Sequence, residues 1–181
     1  MTRNPAPSLG ATLLVVLCLA TGCGYQQSGS MASAPAGYQW PSLYRGDVHT
    51  VAVPIFTNKS YYRGVEFNLT KAVTSQLETQ SPYKIVDQSR ADTILEGEIL
   101  RVRVRTISGD RLANVPQEQL YNVTVNFVWR DLRTGKILVE RKDFEQAAPY
   151  YPTLGEGQFT GAQQNVERLA LAIVHELQAP W

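Results

Sequence analysis

Tyr121-Asn122-Val123-Thr124-Val125-Asn126-Phe127-Val128-Trp129-Arg130-Asp131 (YNVTVNFVWRD) alternates cleanly. Val123, Val125, Phe127 and Trp129 face one way along an extended chain; Asn122, Thr124, Asn126 and Arg130 face the other. A period of two marks a strand in a sheet with one covered and one polar face. The covered face needs an apolar layer, and the flanking sequence has to supply it.

Downstream, Asp131-Leu132-Arg133-Thr134-Gly135-Lys136 reads as a hairpin turn with Gly135 supplying a positive φ. Ile137 to Phe144 then returns as the partner strand. Upstream, Thr93 to Thr106 (TILEGEILRVRVRT) is a long strand whose apolar parity changes. Leu95, Gly97 and Ile99 share one face; Leu100, Val102 and Val104 share the other. A β-bulge near Ile99-Leu100 keeps both sets on the core; the alternative is a first half buried on both faces. Val48 to Phe56 (VHTVAVPIF) is a further strand with Val51, Val53 and Ile55 in register, and Pro54 restricts how it can pair. Tyr83 to Val86 forms a short strand.

Two segments carry helical spacing. In Val65 to Gln80, residues Val65, Leu69, Ala72, Val73, Gln76 and Leu77 share a face, Glu66 suits the positive end of the helix dipole, and Ser81-Pro82 stops the run. In Ala162 to Gln178 the stripe is Val166, Leu169, Ala170, Ile173, Val174 and Leu177. Ala147 to Gly161 reads as a long loop, and Ser108-Gly109-Asp110 as a turn. The order predicts an α+β fold: a two-layer sandwich with two helices packed on one face of a mostly antiparallel four- to five-stranded sheet.

The N-terminus has another character. Leu9 to Ala20 is apolar or small, about twelve residues, shorter than the ~20 a spanning helix needs. It fits the h-region of a signal peptide, with Arg3 ahead of it. Ala20-Thr21-Gly22-Cys23 resembles a bacterial lipobox, whose cysteine takes acyl chains such as palmitate before the peptide is cut. Residues 1–22 are therefore the expected lipoprotein signal peptide and Cys23 the expected lipidation site; Cys18 is discarded. Two or three acyl chains give stable attachment where one is marginal. Gly24 in place of the Asp that commonly retains lipoproteins at the inner membrane favours the outer membrane, on its periplasmic face. Residues 23–37, rich in Ser, Ala, Gly and Gln, read as a flexible tether, and 38–181 as one domain.

Charge excludes some functions. The chain has 17 basic and 16 acidic residues; losing Arg3 with the signal peptide balances them. Nothing global points to nucleic acid. Nor do the residues assemble a catalytic constellation: His49 and His175 stand alone, no thiol follows Cys23, and no nucleophile or phosphate-loop motif occurs. The expectation is no enzyme, no catalytic residue, no metal and no cofactor.

Two local features remain. Arg101, Arg103 and Arg105 project from one face of a strand, about 7 Å apart, expected beside Asn122, Thr124 and Asn126. They could grip phosphate or carboxylate bidentately, or form a solvated face that discourages aggregation. Tyr150, Tyr151 and Phe159 could anchor a partner, or pin their loop to its own domain.

Taken in order, Cys23-Gly24-Tyr25, Val51-Ala52-Val53-Pro54-Ile55-Phe56-Thr57-Asn58, Gly64-Val65-Glu66-Phe67-Asn68-Leu69-Thr70-Lys71-Ala72, Ala91-Asp92-Thr93-Ile94-Leu95-Glu96-Gly97-Glu98-Ile99 and Asp131-Leu132-Arg133-Thr134-Gly135-Lys136 resemble the LPS-assembly lipoprotein LptE family. The resemblance implies an outer-membrane lipoprotein that partners the LptD β-barrel and binds lipopolysaccharide in transit to the cell surface. It adds weight to the three arginines as a site for lipid A phosphates. The first of the strand motifs, its helix and Ala-Asp-x-x-Leu-x-Gly also look like the nucleating domain of curli-type secretion lipoproteins, which would make the chain an oligomeric accessory or pore subunit.

Overall fold

The alternating stretch lies at the centre of the molecule, in the second-last strand of the sheet. In the computed structural model, which describes residues 42–110 and 115–178, the strands are β1 (Thr50–Ala52), β2 (Thr57–Asn58), β3 (Lys84–Ile85), β4 (Thr93–Asp110), β5 (Val115–Asp131) and β6 (Ile137–Tyr150). The helices are α1 (Val65–Gln80) and α2 (Gln158–Glu176). Sheet order is β3-β1-β4-β5-β6, with β2 pairing β4 further along. β4, β5 and β6 pair antiparallel; β1 and β2 pair β4 in parallel, as does β3 with β1. The expected two-layer α+β sandwich is what forms, with six strands, three of them only two or three residues long.

The core is the seam between sheet and helices. α1 contributes Val65, Leu69, Val73 and Leu77; α2 contributes Val166, Leu169, Ala170, Ile173 and Val174, followed by Leu177. They meet Leu95, Ile99, Val123, Val125, Phe127 and Trp129 from the sheet. Each α1 contact repeats at i, i+4, which is why a single stripe suffices. α2 also buries one polar residue: Asn165 Nδ2 donates to the carbonyls of Tyr121 (2.9 Å) and Gln146 (2.6 Å), tying the helix to β5 and β6 at once.

The parity change in β4 is a bulge. Ile99 pairs with Val125 and Arg101 with Thr124, so Leu100 is the extra residue. Thr93, Ile94 and Leu95 are also consecutively buried; the start of the strand is thus covered on both faces as well. Gly135 has φ 71°, as the turn requires.

Four expectations need correction. The Val48–Phe56 strand breaks after Ala52, because Pro54 offers no N–H to a ladder; beyond it Ile55 turns outward and Phe56 inward. Ser108-Gly109-Asp110 is not a turn but the far end of β4, paired with Glu118, Pro116 and Val115. Ala147 to Tyr150 continues β6, and Gln158 to Gly161 already belongs to α2, so the expected long loop shrinks to 151–157. Ala148 and Tyr150 are buried there by α2, an effect of tertiary packing that composition does not carry.

A polar clamp joins β1 to β4. The Asp92 carboxylate accepts from the backbone N–H of His49 (3.2 Å) and Thr50 (3.0 Å) and from Thr50 Oγ1 (2.9 Å). Its own N–H donates back to Thr50 Oγ1 at 2.8 Å. The Thr50 hydroxyl, then the N–H of His49, hold the Asp92 carboxyl below the usual carboxylate range. Asp92→Ala should cost about 1–3 kcal/mol in urea unfolding at pH 7, since it strands these donors. A depressed folded pKa contributes stability above the unfolded value and loses it as pH falls through the folded one. The gap between variant and wild type should therefore narrow below about pH 4, the ordinary carboxylate range; a gap independent of pH would assign the clamp no electrostatic part.

Candidate functional site

With the helices on one side, the other face of the sheet is open beyond the start of β4, and the bulge decides what stands on it. One extra residue at Leu100 turns Val102 and Val104 toward the core and sends Arg101, Arg103 and Arg105 outward, all three exposed. Their cross-strand neighbours are Thr124, Asn122 and Leu120. Asn122 and Thr124 are neighbours as expected; Asn126 is not, since it lies before the bulge, opposite Glu98.

Neutralisation is uneven along this face. Arg130 pairs with Glu96 (2.8 Å) and Lys59 with Glu98 (2.7 Å). Arg101 pairs with Asp143 at 3.3 Å. Asp143 sits in a β6 bulge with φ 51°, its N–H bonded to Asn126 Oδ1 at 2.8 Å. Asn122 Nδ2 donates to Glu145 Oε1. Among the described residues, Arg103 and Arg105 have neither a hydrogen-bond nor an ion-pair partner. Two guanidinium groups therefore stand about 7 Å apart with all their donors available. Such a pair suits phosphate or carboxylate oxygens, which accept two parallel N–H bonds from one fork.

The three aromatic candidates separate. Tyr150 is 3% exposed, and its hydroxyl donates to Gln119 Oε1 at 2.6 Å. Its ring lies over Gly161, where a Cβ would come within 2.4 Å. Tyr150 thus locks β6 to α2 and is not on the surface. Tyr151 and Phe159 are both exposed, Phe159 the more so at 76%.

Phe159 stands at the mouth of a groove that sequence reasoning missed. The groove, about 760 Å3, runs between α1 and α2. Val65, Ala72, Ala162 and Val166 form its walls and Tyr121 lies in its floor. The only advance signal was the pair of small residues, Ala72 and Ala162, on facing helices. His49 and His175 are both exposed, and among the described residues no group of three or more His, Cys, Asp or Glu is placed to hold a metal ion. No described helix is long and apolar enough to cross a membrane. Cys23, the signal peptide 1–22 and the tether 23–37 lie outside the described residues.

The family model described as LptE, lipopolysaccharide-assembly, matches residues 48–178. No curated protein matches the chain. Among solved structures, protein XCC0632 from Xanthomonas campestris is 14% identical, with a TM-score of 0.50 over 71% of this chain and 82% of that one. The PelC dodecamer from Paraburkholderia phytofirmans is 16% identical, TM-score 0.48, over 75% and 93%. The uncharacterized lipoprotein B from Nitrosomonas europaea is 12% identical, TM-score 0.49, over 79% and 91%. The likeness to XCC0632 bears on the fold alone.

Proposed function

We propose, from the premise that this chain belongs to the LptE lipopolysaccharide-assembly family, that it is an outer-membrane lipoprotein held at the periplasmic face by acyl chains on Cys23. In this reading it partners an LptD-type β-barrel, contacts lipopolysaccharide during transport to the cell surface, and catalyses nothing. The observation that carries the lipopolysaccharide contact is the uncommitted pair Arg103 and Arg105 on the open sheet face. Lipid A presents phosphates, and two forks at strand spacing can each take one phosphate oxygen pair. Membership supports the assembly role in general; the barrel, the anchor and the arginine contact are the finer parts under test.

One preparation tests them together. The full chain is captured from detergent-solubilised envelopes. The expected complex is one-to-one with a large β-barrel, and the mature N-terminal peptide begins at acylated Cys23. A ring of copies of this chain alone would favour the curli-type alternative, and a bare N-terminus would remove the anchor. With lipopolysaccharide added, Arg103→Gln/Arg105→Gln should bind at least ~tenfold more weakly, from two lost charge-assisted contacts. Its unfolding midpoint should not move, because neither side chain has a partner to lose. Arg101→Gln should have the smaller effect, since Asp143 already occupies that guanidinium. Equal affinity across all three proteins would return the row to solvated surface.

A further inference from the structure

We infer that the free edge of β4, from Arg101 to Thr106, accepts an added strand from a partner protein, an extended segment in which apolar and acidic residues alternate. The site is the backbone at the edge of the sheet. It does not rest on the lipopolysaccharide reading, which concerns side chains on the sheet's face.

The first observation is where the neighbours of β4 stop. On one side β5 follows β4 to its end at Asp110. On the other side β1 pairs only with Thr93 and Ile94, and β2 only with Glu98 and Ile99. The last bond there runs from the Lys59 N–H to the Ile99 carbonyl at 2.9 Å. Asn58 then turns the chain off the edge. Its Oδ1 accepts from the Ser60 N–H at 2.8 Å, and its Nδ2 donates to the Tyr62 carbonyl at 2.7 Å. A side chain that binds the backbone two residues on is a turn in place of further pairing. Among the described residues, no strand lies on that side of Arg101–Thr106. Such an edge presents a row of N–H and C=O groups ready to pair with another chain.

Two irregularities set the length of this strip. Leu100 is the extra residue at one end and Ile107 at the other, since Thr106 pairs with Gln119 and Ser108 with Glu118. Between them β4 pairs regularly with β5. Bulges twist an edge away from pairing, so the strip admits about six residues, roughly 20 Å of strand.

The second observation is that the two faces of the strip call for different side chains. On the open face stand Arg101, Arg103 and Arg105, with no acid anywhere in the strip. On the helix side Val102 and Val104 pack against the core yet stay only partly buried. An added strand alternates in the same way, so acids would come beside the guanidinium groups and apolar residues beside the valines. A second copy of this chain fits poorly. Pairing the strip antiparallel with itself sets arginine against arginine; slipping it by one residue sends the arginines to the valine face. Main-chain bonds then supply affinity and the alternate side chains select the guest, as in other strand additions.

The test is amide hydrogen exchange on the full chain in a maltoside detergent, with a capped octapeptide alternating valine and glutamate as the probe. Exchange should slow at 101–106 and stay unchanged along β6, which forms the opposite edge of the sheet. A peptide alternating valine and lysine, and one with the same valines and glutamates in two blocks, should give little protection. N-methylation of the valine amides or of the glutamate amides disables one edge of the peptide each, so one of these two peptides should lose binding. Arg103→Gln/Arg105→Gln should raise the peptide concentration for half protection roughly fivefold, from two lost cross-strand charge pairs. Equal protection by the lysine peptide, protection along β6, or full binding by both N-methylated peptides would overturn the inference. So would protection of 101–106 that grows with protein concentration in the absence of peptide, which would assign the edge to a second copy.

Discussion

Trp129→Ala is expected to lower stability by about 3–5 kcal/mol, the range for truncating a large buried aromatic. Trp129 is the largest fully buried side chain among the described residues, at 0% exposure. It sits on β5 opposite Leu95 on β4 and Val139 on β6. Its ring stacks at a tilt on Tyr83, with centroids 5.8 Å apart. Removing it empties a space bounded by three strands and the segment after α1, none of which can collapse without breaking the ladder. Against a typical total of roughly 5–15 kcal/mol, the loss is a large share. At roughly 3–4 °C per kcal/mol for a domain of this size, the thermal midpoint should fall by more than ~10 °C. Trp129→Phe sharpens the test. The indole Nε1 is buried without a hydrogen-bond partner among the described residues, so phenylalanine removes an unsatisfied donor along with some volume. Its cost should stay below about 2 kcal/mol. Equal losses for Ala and Phe would mean that the indole nitrogen is satisfied after all, and no loss for Ala would mean that the core is not packed around this ring.

Where the sequence is legible, a single period decides the outcome. The spacing of Val65, Leu69, Val73 and Leu77 placed a helix over 65–80, and α1 has those bounds. Val123, Val125, Phe127 and Trp129 placed the covered face of β5. The jump from Ile99 to Val102 announced the bulge, and with it the outward row of arginines. The ordered motifs pointed to the LptE family, and the match over residues 48–178 bears that out. What escaped was set by contacts between distant residues. Tyr150 is buried because Gly161, eleven residues on, has no Cβ to exclude the ring. Asp143 adopts φ 51° because Asn126, on the neighbouring strand, caps its N–H. Arg101 is neutralised by that same Asp143, while the adjacent Arg103 is not, and nothing in an R-V-R-V-R run distinguishes them. The groove is a property of the spacing between two helices, so its lining residues read individually as ordinary surface or stripe positions.

The pair Phe56 and Gly97 is the clearest case of such a long-range constraint, and Gly97→Ala should cost about 2–4 kcal/mol through overpacking. A Cβ on Gly97 would lie 2.3 Å from Phe56 Cε2 and 2.5 Å from Cδ2, well inside contact distance. The ring has little room to retreat. Phe56 is 2% exposed, and its N–H is held at 3.0 Å by Thr70 Oγ1, which in turn donates to the carbonyl of Glu66 on α1. The backbone on the other side is equally held, since β2 pairs β4 at Glu98 and Ile99, the next two residues. Adding one carbon must therefore displace either the ring from the core or β4 just ahead of its bulge. Phe56→Ala alone should also destabilise, by about 3–5 kcal/mol, from lost burial. The two losses should not add. On the Phe56→Ala background the new methyl enters vacated space, so Gly97→Ala should then cost close to nothing. The coupling between the substitutions, measured by urea unfolding of all four proteins, should match most of the single Gly97→Ala loss. Additive losses would mean that Gly97 is required for its backbone alone and that the ring does not rest on it. Gly97→Ala should also weaken lipopolysaccharide binding if the displaced element is β4, because the bulge that orients Arg103 and Arg105 begins two residues later. Unchanged binding in a destabilised Gly97→Ala protein would show that the ring gives way and the strand does not.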